Sequence, residues 1–322
     1  MKKNLAGCMF GLAAVLAGPA AMAAAPQKVV VYQAFQSIQY LPLYVAQDEG
    51  LFAKNGLDVQ KVTAGSGASG VAAVIGGHAD FSLQDPMTAV LSDLRGAHVV
   101  NVATVVAGVP VWAIVPKDSK LTNISQLANK SVSAALPPST STYLMERLIK
   151  EQKISNVTMD TVQIGTELAP MIAGRAEAGV LYEPQMDEGI AQGYKILYAF
   201  PKAYVGGYSF STIDTLASTI KDKPEMVQAF VTSINEAEGM IAKDPALARQ
   251  VAEKEFPSLP ATIVDKAVNR LIAQNIYGKT AGIPEQAFRN ALDLQIFIGN
   301  VKPDPDAYAK YVDNSFAQNA VQ

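Results

Sequence analysis

The sequence has one cysteine, Cys8, and one tryptophan, Trp112, in 322 residues. With Cys8 so close to the amino terminus, the body of the chain can form no disulfide. It also offers no thiol nucleophile and no cysteine ligand for a metal. Histidine is almost as scarce. His78 and His98 are the only two; both fall in loop-like settings without a partner at ligand spacing, so neither a metal nor a cofactor is expected. Acidic residues outnumber lysine plus arginine by 29 to 26, and no basic cluster occurs, which argues against nucleic acid. No G-x-S-x-G elbow marks a serine nucleophile. Beyond the first 23 residues, no apolar run is long enough to cross a bilayer.

The amino terminus itself reads as an export signal. Lys2 and Lys3 precede an apolar run, Met9 to Ala17. Pro19 then breaks the helix before Ala21-Met22-Ala23, which has the small-x-small form that signal peptidase needs. Cleavage is expected after Ala23, placing the mature protein in the periplasm. Leu5-Ala6-Gly7-Cys8 spells a lipobox, but the apolar run follows Cys8 instead of preceding it, so no lipid anchor is expected. Removing residues 1–23 takes both lysines and moves the net charge from −3 to −5. The remaining chain of about 300 residues is long enough to bury one or two large cores without disulfides.

Strand and helix signals alternate along the first two-thirds of this remainder, which predicts βαβ units and mostly parallel sheets. A first series has strands at Lys28–Ala34, Leu57–Thr63, Asp80–Leu83 and Val99–Val106. Its helices are expected at Leu41–Lys54, Gly70–Gly76 and Met87–Leu94. Asn55-Gly56 supplies the stop after the first helix. Val111–Pro116 leads into a second series, with strands at Ser131–Ala135, Thr158–Gln163, Ala178–Leu181 and Lys195–Tyr198. Helices there are expected at Ser141–Glu151 and Leu168–Ala173. Val205-Gly206-Gly207-Tyr208 reads as a hinge. Four amphipathic helices follow, at 223–243, 245–256, 260–277 and 284–298, with no strong strand signal between them. The expected architecture is α/β with two lobes: 24–110 joined by 208–322 as the first, and 111–207 as the second. The carboxyl-terminal helices should pack on the first lobe.

In open parallel sheets, ligands bind beyond the carboxyl ends of the strands, and several polar loops fall there. Phe35, Gln36, Ser37, Gln39 and Tyr40 follow the first strand. Gly65-Ser66-Gly67-Ala68-Ser69-Gly70 follows the second and matches a dinucleotide fingerprint letter for letter. That fingerprint belongs after the first strand, however, and an exported protein leaves the cytoplasmic cofactor pool. Ser66, Gly67 and Ser69 are better read as a helix start with free N–H groups, suited to an anion or carbonyl and capping its own helix. Ser139, Thr140, Ser141 and Thr142 repeat that design in the second series. Asp85 and Glu183 each end a strand where the lobes should face, as ligand contacts or as caps on the helices that follow. Trp112 is expected in the core.

The runs LPLYVAQDEGLFAKNGLDV (41–59) and GGHADFSLQDP (76–86) resemble periplasmic substrate-binding proteins of ABC transporters, of the nitrate, sulfonate, taurine and thiamine-precursor type. Likeness continues through PPSTSTYLMERLI (137–149), APMIAGRAEAGVLYEP (169–184) and the segment from Lys223 to Pro245. The resemblance implies a type II venus-flytrap fold that encloses its ligand on hinge closure. It also implies delivery to a membrane permease with its ATPase, a monomeric protein and no catalysis. By the family's pattern, Phe35–Tyr40, Ser66–Ser69, Asp85, Ser139–Thr142 and Glu183 fall in the cleft. None of these loops carries a basic residue, which points away from nitrate. The expected ligand is a small organic molecule: an aromatic carboxylate, a sulfonate or an aminopyrimidine. Two other classes stand beside import. One is a receptor that docks a signalling partner; the other is an iron-dependent pyrimidine synthase, for which the ligand residues are missing.

Overall fold

The computed structural model describes residues 25–321; the export signal and Cys8 lie outside the described residues. Valine-rich and β-branched runs form ten strands: β1 (Gln27–Gln33), β2 (Leu57–Thr63), β3 (Phe81–Gln84), β4 (Val99–Val106), β5 (Trp112–Pro116), β6 (Ser131–Ala135), β7 (Thr158–Val162), β8 (Ala178–Leu181), β9 (Tyr194–Ala199) and β10 (Ser211–Leu216). They make two five-stranded sheets, ordered β2-β1-β3-β10-β4 and β7-β6-β8-β5-β9. In the first, β1 runs parallel to both β2 and β3, from Gln27 opposite Leu57 to Gln33 opposite Thr63. In the second, β6 runs parallel to β7 and β8. Each sheet has one antiparallel strand in its fourth place, β10 or β5. These are the strands on which the chain enters a sheet after crossing from the other one.

Helices cover the sheets. The first series has α1 (Leu41–Asp48), α2 (Leu51–Lys54), α3 (Gly67–Ile75) and α4 (Met87–Asp93); the second has α5 (Thr140–Glu151), α6 (Leu168–Ile172) and α7 (Gln185–Ala191). The tail comprises α8 (Ala217–Asp222), α9 (Pro224–Lys243), α10 (Pro245–Glu255), α11 (Ala261–Ala273), α12 (Glu285–Phe297), α13 (Ala307–Tyr311) and α14 (Ser315–Asn319). Helix α9 returns to the first lobe as expected. Phe230 stacks on Phe81 of the sheet at 4.3 Å and meets Phe52 at 4.9 Å. Burying a side chain of that size contributes about 2 kcal/mol, so this contact fixes the tail to the sheet. Two tail helices also reach the second lobe, α11 against α7 and α12 against α5.

Two expectations need correcting. The single helix expected over Leu41–Lys54 is two, because Gly50 takes a left-handed conformation (φ 67°) between α1 and α2. The stretch after the hinge also contains a strand, β10, inserted between β3 and β4. Its sequence, Ser-Thr-Ile-Asp-Thr-Leu, carries little apolar signal because it buries polar side chains against other polar side chains. The two crossings run side by side, with Tyr208 N–H donating to Ala107 O at 3.1 Å and Phe210 N–H to Val106 O at 2.9 Å. Trp112, fully buried, sits at the start of β5 beside them. No described helix is long and apolar enough to cross a membrane.

Candidate functional site

The carboxyl ends of the parallel strands of both sheets converge on one cleft, as open-sheet topology dictates. From the first lobe come Ala34 and Phe35 after β1, Gln39 and Tyr40 of the following turn, Gly67 at the start of α3, and Gln84 and Asp85 at the end of β3. From the second come Pro138, Ser139 and Thr140 before α5, Ile164 after β7 and Tyr182 after β8. Phe210 and Ser211, at the entry to β10, close the back. Together with Thr88, these residues enclose a cavity of about 40 Å3. Its walls are aromatic. Phe35 lies 5.6 Å from Tyr40 and 5.1 Å from Tyr182 between ring centroids, and Tyr182 lies 6.1 Å from Phe210. Burial pushes the Tyr182 hydroxyl up to about 12 and the Tyr40 hydroxyl further still, so both are neutral donors at physiological pH.

Polar groups enter this apolar shell with unused capacity. Gln39 is 1% exposed, and neither amide atom makes a hydrogen bond of good geometry among the described residues, although the amide lies close enough to the Tyr40 hydroxyl to lower that hydroxyl's value slightly against burial. The Gln84 amide oxygen is also unpartnered, while its nitrogen donates to Asp214 Oδ2 at 2.8 Å and to Ser82 Oγ at 3.0 Å. Orphaned buried amides are rare in folded chains, and each calls for a physical reason such as a bound water, an ion or a functional role. Among the described residues the lining holds one acid, Asp85, and no base. Asp85 accepts from the Met87 N–H at 2.8 Å, which caps α4, and from the Thr140 hydroxyl across the cleft. Burial raises its carboxyl above the ordinary carboxylate value, against the lowering effect of those two donors.

The residues singled out from sequence therefore divide. Phe35, Gln39, Tyr40, Gly67, Asp85, Ser139 and Thr140 surround the one cavity. The others lie beside it. Ser37 Oγ donates to the Glu183 carbonyl at 2.5 Å, Thr142 Oγ1 to the Ala135 carbonyl at 2.5 Å, and Gln36 Nε2 to the Glu255 carbonyl at 3.0 Å. Ser66 Oγ accepts from the Ser69 N–H at 3.1 Å and caps α3, and Ser69 Oγ meets Ser66 Oγ at 2.9 Å. Ser141 N–H donates to Tyr182 Oη at 3.2 Å, so that phenol occupies one of the free donors of α5. The Glu183 carboxylate turns away from the cavity. It accepts from the Arg270 guanidinium at 3.0 Å and the Asp187 N–H at 3.1 Å, and the same guanidinium bonds Asp187 Oδ1 at 2.7 Å. Gln36 and Glu183 line a neighbouring cavity of about 210 Å3 behind the Phe35–Tyr182 wall.

Residues 37–248 match the NMT1/THI5-like family. The chain belongs to this family. Another relative is the putative binding protein YtlA of Bacillus subtilis (strain 168), 23% identical over 257 residues, which cover 78% of this chain and 77% of YtlA. Among solved structures, the alkanesulfonate-binding protein SsuA from Xanthomonas axonopodis pv. citri, bound to MOPS, superposes with a TM-score of 0.73 at 16% identity. That match covers 90% of this chain and 99% of SsuA. The periplasmic nitrate-binding protein NrtA from Synechocystis PCC 6803 gives 0.71 at 14% identity, over 92% and 89%. The fold is thus that of periplasmic binding proteins, α/β and two-lobed, as the sequence led us to expect. SsuA and NrtA are named as binding proteins, and YtlA as a putative one.

In this NMT1/THI5-like protein, several cleft residues carried no sequence signal of their own. Gln84 and Tyr182 each precede an acid that drew attention instead, although both sit at the same strand ends. Phe210 and Ser211 belong to the entry of β10, the strand that composition concealed. Ile164 is an ordinary apolar loop residue until the second sheet places it.

Proposed function

We propose that this protein captures a small, ring-bearing organic solute, neutral or cationic, between its lobes and delivers it to the permease of an ABC importer. The observation that carries this reading is Gln39. A fully buried amide with both ends unpartnered, inside an aromatic cavity built from two lobes, is costly unless a ligand completes its hydrogen bonds. Asp85 and the Gln84 amide oxygen add acceptors on the same wall. A lining with one carboxylate and no base favours ligands that offer N–H or O–H donors and disfavours oxyanions. The likeness to YtlA, SsuA and NrtA supports binding over catalysis.

The export signal at residues 1–23 places this work in the periplasm, by a monomeric protein released after Ala23. The lobes are residues 24–110 with 208–322, and 111–207, moving about the two crossings. Ligand sites of ordinary size occupy roughly 300 Å3 or more, so a cavity of about 40 Å3 requires the lobes to part before a ring can enter. Mass spectrometry under native conditions, on protein purified from the periplasm, should release a retained compound with an aromatic or heteroaromatic ring. A thermal-shift panel of aminopyrimidines, aromatic amides and aromatic sulfonates provides the second test. A bound member at 100 times its dissociation constant adds about 2.7 kcal/mol. Stabilisation by sulfonates alone would overturn the charge preference, and stabilisation by none of the three classes would overturn ring capture.

A further inference from the structure

Asp214 lies on β10 beneath the cleft floor, fully buried and not itself among the residues that line the cavity. Four donors converge on it: the Gln84 amide at 2.8 Å, Ser82 Oγ at 3.3 Å, Thr88 Oγ1 at 3.4 Å and Thr212 Oγ1 at 3.4 Å. The two threonines have better partners elsewhere, at 2.7 Å each, in the Asp85 and Asn101 oxygens. Gln84 is therefore the principal donor to Asp214. Both hydrogens of its amide nitrogen are engaged, one with the carboxyl group and one with Ser82 Oγ, whose own hydrogen turns to Asp214.

Burial raises the Asp214 carboxyl well above its ordinary value, against the lowering effect of these four donors. In the ionised form that they stabilise, an amide flip would bring the Gln84 oxygen against a carboxyl oxygen, where two acceptors repel. The network therefore holds the amide oxygen toward the cavity, where it has no partner. Gly67 makes room for it, since a Cβ there would stand 2.9 Å from that oxygen. We propose that Asp214 is the positioning residue that sets ligand selectivity, by locking Gln84 so that the cleft floor presents an acceptor and not a donor. This deepens the binding reading above and rests on it. A ligand must then bring a hydrogen to Gln84, and an oxyanion placed there meets a carbonyl oxygen.

Two measurements on the purified protein test this separately from the binding reading. The first needs no ligand: exchange of the Gln84 side-chain amide hydrogens, followed by nitrogen-edited NMR and assigned by their loss in Gln84→Met. Both hydrogens should exchange slowly in the wild type and faster in Asp214→Asn, in which the neutral amide tolerates either orientation. Fast exchange in the wild type, or equal rates in the two proteins, would overturn the proposal whether or not any ligand binds. Ser82→Ala, a milder change that removes one acceptor, should speed exchange by itself and serves if Asp214→Asn does not fold.

The second measurement compares benzamidine, which brings donors, with benzenesulfonate, which brings acceptors, by calorimetry. Asp214→Asn should narrow the preference for benzamidine by roughly tenfold, the worth of one buried hydrogen bond. In the Gln84→Met background the same substitution should leave the ratio unchanged. A uniform loss of affinity for both probes, or a change that persists in Gln84→Met, would mean that Asp214 acts only through the fold. Wild-type protein that binds neither probe but has slowly exchanging Gln84 hydrogens would keep the positioning of the amide and reject the selectivity it is said to confer.

Discussion

Gln39 sets a test that separates stability from binding within one side chain. Its two unpartnered amide atoms were stripped of water without compensation, a loss of about 1–3 kcal/mol for each such group. Gln39→Met keeps the length and removes both groups. Unfolding by urea should show a protein stabilised by about 1 kcal/mol or more, while calorimetry should show affinity down by about tenfold to a hundredfold. Lower stability with unchanged affinity would make Gln39 a packing residue. Gly67→Ala works on the same wall from the other side. Its Cβ would meet the Gln84 amide oxygen at 2.9 Å, and that oxygen can retreat only by pulling the nitrogen off Asp214. Affinity should fall by about tenfold, and the unfolding midpoint should fall with it as the buried Gln84–Asp214 bond weakens.

The helix starts show why residue type and spacing reveal a loop's place better than its side-chain directions. Ser66 and Ser139 occupy matching positions before α3 and α5, yet only Ser66 caps its helix through its own hydroxyl. Ser66→Ala should cost about 1 kcal/mol of stability and leave ligand affinity unchanged by calorimetry; a large affinity loss would return Ser66 to the cleft. Four strands were legible to the residue: Leu57–Thr63, Val99–Val106, Ser131–Ala135 and Ala178–Leu181 have the bounds expected from sequence. The carboxyl-end rule, applied to β1, β3 and β6, located the loops that carry Phe35, Gln39, Tyr40, Asp85, Ser139 and Thr140. Strand β10 was illegible because its buried face pairs Asp214 and Thr212 with polar partners from β3 and β4, a match that exists only once the sheet has formed. The inward turn of Ser37 toward the Glu183 carbonyl, and of Glu183 toward Arg270, likewise depends on groups distant in sequence.

A small set of polar contacts spans the cleft. Ser37 reaches the Glu183 carbonyl, Thr140 reaches Asp85, and Arg147 of α5 meets Asp293 of α12 at 2.7 Å. Arg270 of the tail grips Glu183 and Asp187 together. Within this last cluster, Glu183 is the group held well above its ordinary carboxylate range. Burial, and then the charge of Asp187, push the Glu183 carboxyl from 4.5 up to about 8, and Arg270 opposes them only in part. A carboxyl whose value is raised in the closed form binds its proton more tightly there than when the lobes part and water reaches it. Closure is therefore favoured at the acidic end of the window and loses that contribution as pH climbs from 4.5 towards 8, where Glu183 ionises beside Asp187. Small-angle scattering, or energy transfer between one label on each lobe, should report an increasingly open molecule from about pH 5 to about pH 9. Glu183→Gln keeps the shape and the Arg270–Asp187 pair but removes the proton, so its profile should be nearly flat over that range. A wild-type profile without slope would exclude this control, and an unchanged slope in Glu183→Gln would assign it to another group.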